Sequence, residues 1–208
     1  MIETLYPCFQ HWSAKGSVYL ISDTHFFDND REVMGYNFSE EVQIGRLKER
    51  CHKNDTLIHL GDVGNPEYMK QLKCYKVLIM GNHDQSVEKM KQYFNEVYTG
   101  PLWISKKLVL SHEPIVIEAG IYREPIAFNI HGHDHSGEYY NDDYHLNIAQ
   151  NIWGYLPLNL KIFIEDGMLK HIKSIHRVTI DNAKINSFKK TDLSKYDMTE
   201  LFNLFNKE

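Results

Sequence analysis

Short apolar runs alternate with amphipathic stretches over the first half of the chain. The runs at residues 17–22, 56–60 and 75–80 are rich in Val, Ile and Leu and are too short for typical helices, so they predict buried strands. The stretches beside them place apolar residues at near-helical spacing or carry a helix-start signal such as Pro66. Helices are therefore predicted at residues 39–52, 66–73 and 86–94. Buried strands that alternate with helices indicate parallel strand pairing, with helices packed on the sheet.

The second half of the chain has shorter apolar runs and more turn-forming residues. Strands are predicted at residues 102–104, 107–111, 126–130, 144–148, 158–165 and 168–172. Asp166 and Gly167 separate the last two runs, and an Asp-Gly pair between apolar runs predicts a β-hairpin. An apolar stripe predicts a C-terminal helix at residues 192–207. The whole pattern favours one domain over residues 1–208, with an α/β fold built as a two-sheet β-sandwich flanked by helices.

Charge and cysteine content narrow the class of protein. The chain has 23 Lys+Arg against 28 Asp+Glu, a formal charge of −5, which disfavours binding to long nucleic acids. Three cysteines without a Cys-x-x-Cys pair predict reduced thiols. No apolar stretch reaches the roughly 18 residues that a transmembrane helix needs, and the first residues do not resemble a signal peptide. We therefore expect a cytoplasmic protein with no membrane partner.

Histidine is unusually frequent, and its position matters more than its number. The chain has 12 His, as many as Gly, and imidazole is the commonest metal ligand in proteins. Residues of metal-ligand type follow five predicted strands, in the segments Asp23-Thr24-His25, Gly61-Asp62, Gly81-Asn82-His83-Asp84, His112 and Gly132-His133-Asp134-His135. Ligands gather beyond the carboxyl ends of strands in open α/β sheets. Mixed oxygen and imidazole donors suit first-row transition metals better than Ca²⁺ or Mg²⁺.

These five segments, in this order, resemble the motifs of the calcineurin-like metallophosphoesterase superfamily, in particular its small bacterial and phage-type members. The resemblance covers residues 18–135 and implies a site for two metal ions. It implies Asp23, His25 and His135 as ligands of the first ion, Asn82, His112 and His133 as ligands of the second, Asp62 as the bridge between them, and His83 as the catalytic imidazole.

The resemblance also implies the chemistry. Two divalent ions, with Mn²⁺ preferred and Fe, Zn²⁺ or Ni²⁺ as alternatives, would supply a bridging hydroxide that hydrolyses a phosphate ester. His83 would protonate the leaving oxygen or stabilise the transition state. Many family members carry an Asp that pairs with this histidine where this chain has Asn65, so the partner of His83 stays open. Asp84 is an alternative partner, or it supports the loop.

Several alternatives remain open at this point. The preferred substrate is a small phosphate ester, either a monoester or a diester, whereas a nuclease acting on DNA or RNA is disfavoured by the charge. A non-catalytic scaffold that binds a protein partner is a further alternative, although the full set of ligand types argues against it. Arg31 is interpreted as a solvated loop residue, with binding of substrate phosphate as the second interpretation. Oligomeric state is not predicted.

Overall fold

The computed structural model describes residues 1–119, 124–138, 140–174, 177–178, 180 and 183. The predicted C-terminal helix at residues 192–207 lies outside them. The strands are β1 (Val18–Ile21), β2 (Thr56–His59), β3 (Tyr75–Ile79), β4 (Glu96–Tyr98), β5 (Leu102–Ser105), β6 (Leu108–Leu110), β7 (Glu118–Ala119), β8 (Glu124–Pro125), β9 (Phe128–His131), β10 (His145–Asn147) and β11 (Leu158–Asn159). The α-helices are α1 (Glu40–Arg50), α2 (Val87–Met90) and α3 (Leu160–Glu165), and 3-10 helices span Pro7–Ser13 and Pro66–Gln71.

Two mixed sheets carry the fold. The first has the order β11-β1-β2-β3-β4, in which β1 to β4 are parallel and β11 is antiparallel to β1. The second has the order β10-β9-β6-β5, in which β10, β9 and β6 are parallel and β5 is antiparallel. A separate pair joins β7 to β8. This arrangement confirms the predicted α/β two-sheet fold with flanking helices.

Two apolar clusters hold these layers together. One lies between the sheets and includes Leu20 and Ile58 from the first sheet with Leu108 and Ile130 from the second, all essentially buried. The other lies on the outer face of the first sheet, where Leu47 of α1 packs with residues such as Leu57 and Met69. Successive side chains of a strand point to opposite faces, so Ile58 of β2 and Val77 of β3 join the first cluster while their neighbours Leu57 and Leu78 join the second.

The strand and helix predictions hold for the first two thirds of the chain, with shorter bounds. The predicted helix at residues 66–73 is a 3-10 helix, and β4 was not predicted. The predicted hairpin around Asp166 and Gly167 is wrong. Only residues 158–159 of the first predicted strand are extended, residues 160–165 form α3, and residues 168–172 form no strand. Asn159 explains the change, because its side chain caps α3 by accepting from the backbone N–H of Lys161 at 3.0 Å.

No helix in the described part of the chain is both long and apolar enough to cross a membrane.

Candidate metal centre

Residues of metal-ligand type follow β1, β2, β3, β6 and β9 and meet at one side of the two sheets. They form two groups, in each of which the ligand atoms all lie within 4.8 Å of one another. The first group is Asp23, His25 and His135, and the second is Asp62, His112 and His133. Asn82 joins the second group, since its Oδ1 lies 2.9 Å from Nε2 of His112. The structure thus brings the seven predicted ligands together.

Four of these residues adopt backbone conformations that favour glycine. Asp23, His25, Asp62 and His133 have φ angles of 54°, 42°, 56° and 68°. Non-glycine residues held in this region cost of order 1 kcal/mol or more each, so the surroundings must hold them there. The segments that follow β1 and β2 hold each other in these conformations, because their backbone hydrogen bonds continue the parallel pairing past the ends of the strands. The N–H of Asp23 donates to the carbonyl of Gly61 at 2.9 Å, and that of His25 donates to Asp62 at 3.1 Å.

Two glycines are required for close packing at the site. A Cβ on Gly132 would overlap the carboxylate of Asp23 and the hydroxyl of Ser22. A Cβ on Gly81 would overlap the carboxylate of Asp62 and come within 2.9 Å of Cε1 of His112. Both positions therefore let a backbone segment pass directly against a ligand.

His25 is oriented as a ligand of the first group. Its Nδ1 donates to Oδ2 of Asp28 at 3.0 Å, which leaves Nε2 with its lone pair. That Nε2 is buried and has no hydrogen-bond partner among the described residues. It lies 4.0 Å from Oδ1 of Asp23 and 3.6 Å from Oδ2 of Asp62. A buried imidazole nitrogen left without a partner and facing two carboxylates fits a bound cation.

His135 completes this group from the second sheet. Its Nε2 lies 3.7 Å from Oδ1 of Asp23, and its Nδ1 lies 3.3 Å from Oδ1 of Asn151. The amide of Asn151 also donates to the carbonyls of His135 and Met34, at 2.7 and 3.2 Å. Burial lowers the pKa of His135, and the nearby His25 adds to this against the pull of Asp23. A lowered pKa keeps the imidazole neutral, which is the form that binds a metal.

His112 plays the same part in the second group. Its Nδ1 donates to the carbonyl of Leu60 at 2.8 Å, so Nε2 is the ring nitrogen that faces the group. Nε2 lies 3.1 Å from Nδ1 of His133 and 3.4 Å from Oδ2 of Asp62. These three converging atoms can hold a cation between them once Nε2 of His112 has given up its proton.

Asp62 lies between the two groups. Its Oδ2 is within 3.6 Å of Nε2 of His25 on one side and 3.4 Å of Nε2 of His112 on the other. Burial alone would raise its pKa, but the hydrogen bond and charge of His112 outweigh burial and lower the pKa to about 2. Burial alone would lower the pKa of His112, but the hydrogen bond to Asp62 and the charges of Asp23 and Asp62 outweigh burial and raise the pKa to about 9. Without metal the two residues therefore form an ion pair.

Asp84 supports the loop that carries Asp62. Its carboxylate accepts from the backbone N–H groups of Asp62, Val63 and Gly81 at 3.1, 2.9 and 2.8 Å. Burial raises the pKa of Asp84 despite these donors. Of the two roles considered for Asp84, the structure shows loop support.

His83 lies at the open side of the centre with an exposed side chain. Its ring centroid is 5.8 Å from that of His25, and its backbone N–H donates to Oδ1 of Asp62 at 2.9 Å. Asn65 instead caps the 3-10 helix at Pro66–Gln71, accepting from Glu67 N at 3.1 Å. The charge of His83 contributes, with His25 and a backbone bond from Asp30, to lowering the pKa of Asp28 against the effect of burial. Asp28 is thus a carboxylate near His83 that the sequence did not single out.

Arg31 occupies neither of the two roles considered for it. It is buried, and its guanidinium donates to the carbonyls of Thr24, His25 and Phe38 at 2.8, 3.0 and 2.9 Å. Tyr36 donates to the carbonyl of Asp23 from the same side. These side chains fix the backbone of the Asp-x-His segment, and neither has a motif that would have revealed this.

A buried hydrogen-bond chain links the first two loops from within the sheet. Thr24 donates from Oγ1 to the carbonyl of Val63 at 2.9 Å and lies 2.9 Å from Nε2 of His59. Because a hydroxyl has one hydrogen, His59 must donate to Thr24 and is a neutral Nε2–H imidazole. Burial lowers the pKa of His59 to about 3, consistent with that form. His59 is therefore a buried supporting residue rather than a ligand.

Comparisons with known proteins agree with this fold and site. The family model of the calcineurin-like phosphoesterase superfamily domain matches residues 17–150, which is more than half of the chain. The chain belongs to the calcineurin-like phosphoesterase superfamily. Membership and the two groups of ligand-type residues support metal-dependent hydrolysis of phosphate esters as its general activity.

Solved structures give a more distant likeness. A protein of unknown function, AQ665, from Aquifex aeolicus is 26% identical, with an alignment over 72% of this chain and 98% of that one, and a TM-score of 0.57. The nuclease MPE of Pseudomonas putida is 22% identical over 56% of this chain and 60% of its own, with a TM-score of 0.40. The second likeness is too distant to bear on function. No protein of curated function matches the chain significantly.

Proposed function

We propose that this chain hydrolyses a small phosphate ester with two divalent metal ions. Asp23, His25 and His135 would hold one ion, Asn82, His112 and His133 the other, and Asp62 would contact both. The observation that carries the proposal is the buried Nε2 of His25, which has no hydrogen-bond partner within the described part of the chain and faces the carboxylates of Asp23 and Asp62. Mn²⁺ is the preferred ion, with Fe, Zn²⁺ and Ni²⁺ as alternatives, since oxygen and imidazole donors are mixed.

The chain's own residues prepare the site for this chemistry. When bound, two divalent ions would lower the pKa of water and so make hydroxide available near neutral pH as the nucleophile. Asp62 is ionised at that pH because its pKa is about 2. Asp28 and the Leu60 carbonyl accept from Nδ1 of His25 and of His112, so in both residues Nε2 is the nitrogen directed at the proposed ions. Asn82 is exposed at the edge, where its amide can orient a phosphoryl oxygen.

His83 is proposed as the catalytic imidazole. Its backbone is fixed by Asp62, while its side chain is exposed next to the first group of ligands. A ring nitrogen in that position can give a proton to the leaving oxygen of the ester. Asp28 lies on the same side, where its carboxylate accepts from Nδ1 of His25 at 3.0 Å.

The test is a hydrolysis screen with each divalent ion in turn. The panel contains aryl phosphomonoesters, phosphodiesters, nucleotides and oligonucleotides. We expect metal-dependent turnover of small esters, and we expect His83→Ala to lower kcat by about 10²- to 10⁴-fold, the usual contribution of a general acid. The matched control is His52→Ala, because His52 is exposed beyond the end of α1. No turnover with any ion, or full activity of the His83 variant, would refute the proposal.

The same screen tests the two other functions. A net charge of −5 favours small esters over long nucleic acids, so oligonucleotides should be poor substrates. A scaffold that does not catalyse should bind no metal, which elemental analysis of the metal-exchanged protein would show.

A further inference from the structure

A cleft of about 260 Å³ opens directly beside the second group of ligands. It lies between the ends of β3 and β4 in one sheet and the end of β6 in the other. Its lining includes Met80, Asn82, Gly100, Ser111, His112 and Glu113. Asn82 and His112, two of the candidate ligands of the second ion, are among its lining residues, so the cleft borders the site proposed for the phosphoryl group.

Both walls of this cleft are fixed in place. Asn129 is buried and donates to Oγ of Ser111 at 2.8 Å, while its Oδ1 accepts from Ile115 N at 2.9 Å. Ser111 in turn donates to the carbonyl of Glu113 at 2.7 Å. The opposite wall is held by the bond from Met80 N to the Tyr98 carbonyl at 2.8 Å. A preformed cleft of this kind selects its occupant by shape and charge.

One carboxylate dominates the charge of the cleft. Apart from the candidate ligand His112, Glu113 is the only ionisable side chain among its lining residues in the described part of the chain. Glu113 is exposed and carries a carboxylate, and the rest of the lining is apolar or a neutral polar group. The volume lies below the roughly 300–1,000 Å³ of pockets that hold drug-sized ligands. The cleft therefore suits a small group and disfavours a second negative charge.

We propose that this cleft receives the leaving group of the substrate, and that Glu113 selects a small alcohol that bears a positive charge over one that bears a negative charge. This inference rests on the proposed function, since it assigns a part of the same substrate. It names Glu113 as a specificity-determining residue, and it predicts that esters whose alcohol carries further phosphate or carboxylate groups are poorer substrates.

The experiment compares three esters of similar size with the metal-loaded protein. Phosphoethanolamine has a cationic alcohol, glycerol 3-phosphate a neutral one and 3-phosphoglycerate an anionic one. We expect kcat/KM to fall in that order. Glu113→Gln should lower the ratio of kcat/KM for phosphoethanolamine to that for 3-phosphoglycerate by about 10-fold, from about 3-fold on each substrate, the size of an exposed ion pair. Glu49→Gln, an exposed change on α1, is the matched control and should leave that ratio unchanged.

A binding measurement separates failure of this inference from failure of the proposed function. The amides of Gly100 and Ser111 are followed by NMR while ethanolamine, glycerol or glycerate is added. Ethanolamine should shift both amides, and Glu113→Gln should weaken that shift. Shifts without turnover of any ester would overturn the proposed function but support the cleft. No shift at these amides, or an order of preference that Glu113→Gln leaves unchanged, would overturn the inference.

Discussion

Asp84 offers a sharp test of how the fold holds its candidate ligands. Its carboxylate accepts three backbone N–H groups, from Asp62, Val63 and Gly81, at 2.8 to 3.1 Å. Asp84→Ala strands all three donors, and each stranded donor costs about 1 kcal/mol where some water can reach it. We therefore expect the metal-free protein to lose about 3 kcal/mol of stability. For a chain of this length that corresponds to a fall of roughly 6–12 °C in Tm.

Asp84→Asn separates shape from charge. An amide oxygen in place of Oδ2 would keep the bonds from Asp62 and Gly81, while the amide nitrogen would face the N–H of Val63. One donor is then lost, so we expect about a third of the effect of the Ala variant.

Metal affinity gives a second measurement, because Asp84 holds the loop of a residue proposed to contact both ions. Substitutions of residues that orient ligands typically weaken binding by about 10- to 100-fold. Calorimetric titration with Mn²⁺ would measure this, and thermal melts would measure stability. Asp143→Ala, at an exposed aspartate, is the control. If Asp84→Ala matches that control in both Tm and affinity, the loop does not depend on Asp84 and the reasoning fails.

Two further predictions address the ion pair and a glycine. In the metal-free protein the pKa of His112 is raised from 6.5 to about 9. The protonated imidazole therefore stabilises the fold fully below pH 6.5, and this stabilisation is lost as the pH rises through 9. Tm should fall over that pH range, and a His112→Asn variant should not show the fall. Since a ligand imidazole must be neutral, Mn²⁺ binding near neutral pH should also release about one proton, which calorimetry in buffers of different ionisation enthalpy would detect. Gly132→Ala should displace the carboxylate of Asp23, lower stability by about 1–3 kcal/mol and reduce the bound metal measured by elemental analysis. Gly45→Ala, on α1 with nothing within 4 Å of the new Cβ, is its control and should be neutral or stabilising. Equal metal content in the two glycine variants would contradict the steric account.

The sequence predicted the parallel part of the fold because its signals are local. β2 is buried at all four positions and β3 at its last three, and consecutive apolar residues such as Leu57-Ile58 and Val77-Leu78 are what a strand buried on both faces requires. The prediction at residues 158–165 was wrong because the apolar residues of this segment fit the two-residue period of a strand as well as the spacing of a helix. Its alternation suggested a strand, but the Asn159 cap and the contact between Lys161 and Glu165 at 3.5 Å, one turn apart, are helical features. At such a segment tertiary packing decides, here by burying Leu160.

The candidate ligands could be predicted from sequence, whereas most of their supports could not. Each ligand follows a strand in a short motif, so its type and position are visible together. The supports come from elsewhere in the chain and have no motif. Asn151 reaches His135 across 16 residues, and Asn129 orders the segment of Glu113 from a neighbouring strand. Arg31 illustrates the difficulty most clearly, because a loop arginine near a phosphate site suggests a substrate contact.

The support of Arg31, Tyr36 and Asp84 goes to the backbone of the ligand loops rather than to ligand side chains. Arg31 and Tyr36 donate to carbonyls of the Asp-x-His segment, and Asp84 accepts from amides around Asp62. This choice matches the strain, because Asp23, His25 and Asp62 all have positive φ angles. Positive φ in three non-glycine residues costs of order 1 kcal/mol each, and bonds to the strained peptide groups offset that cost before any ion binds. The geometry of the centre is therefore set by the folded backbone, so metal binding need not order the loops.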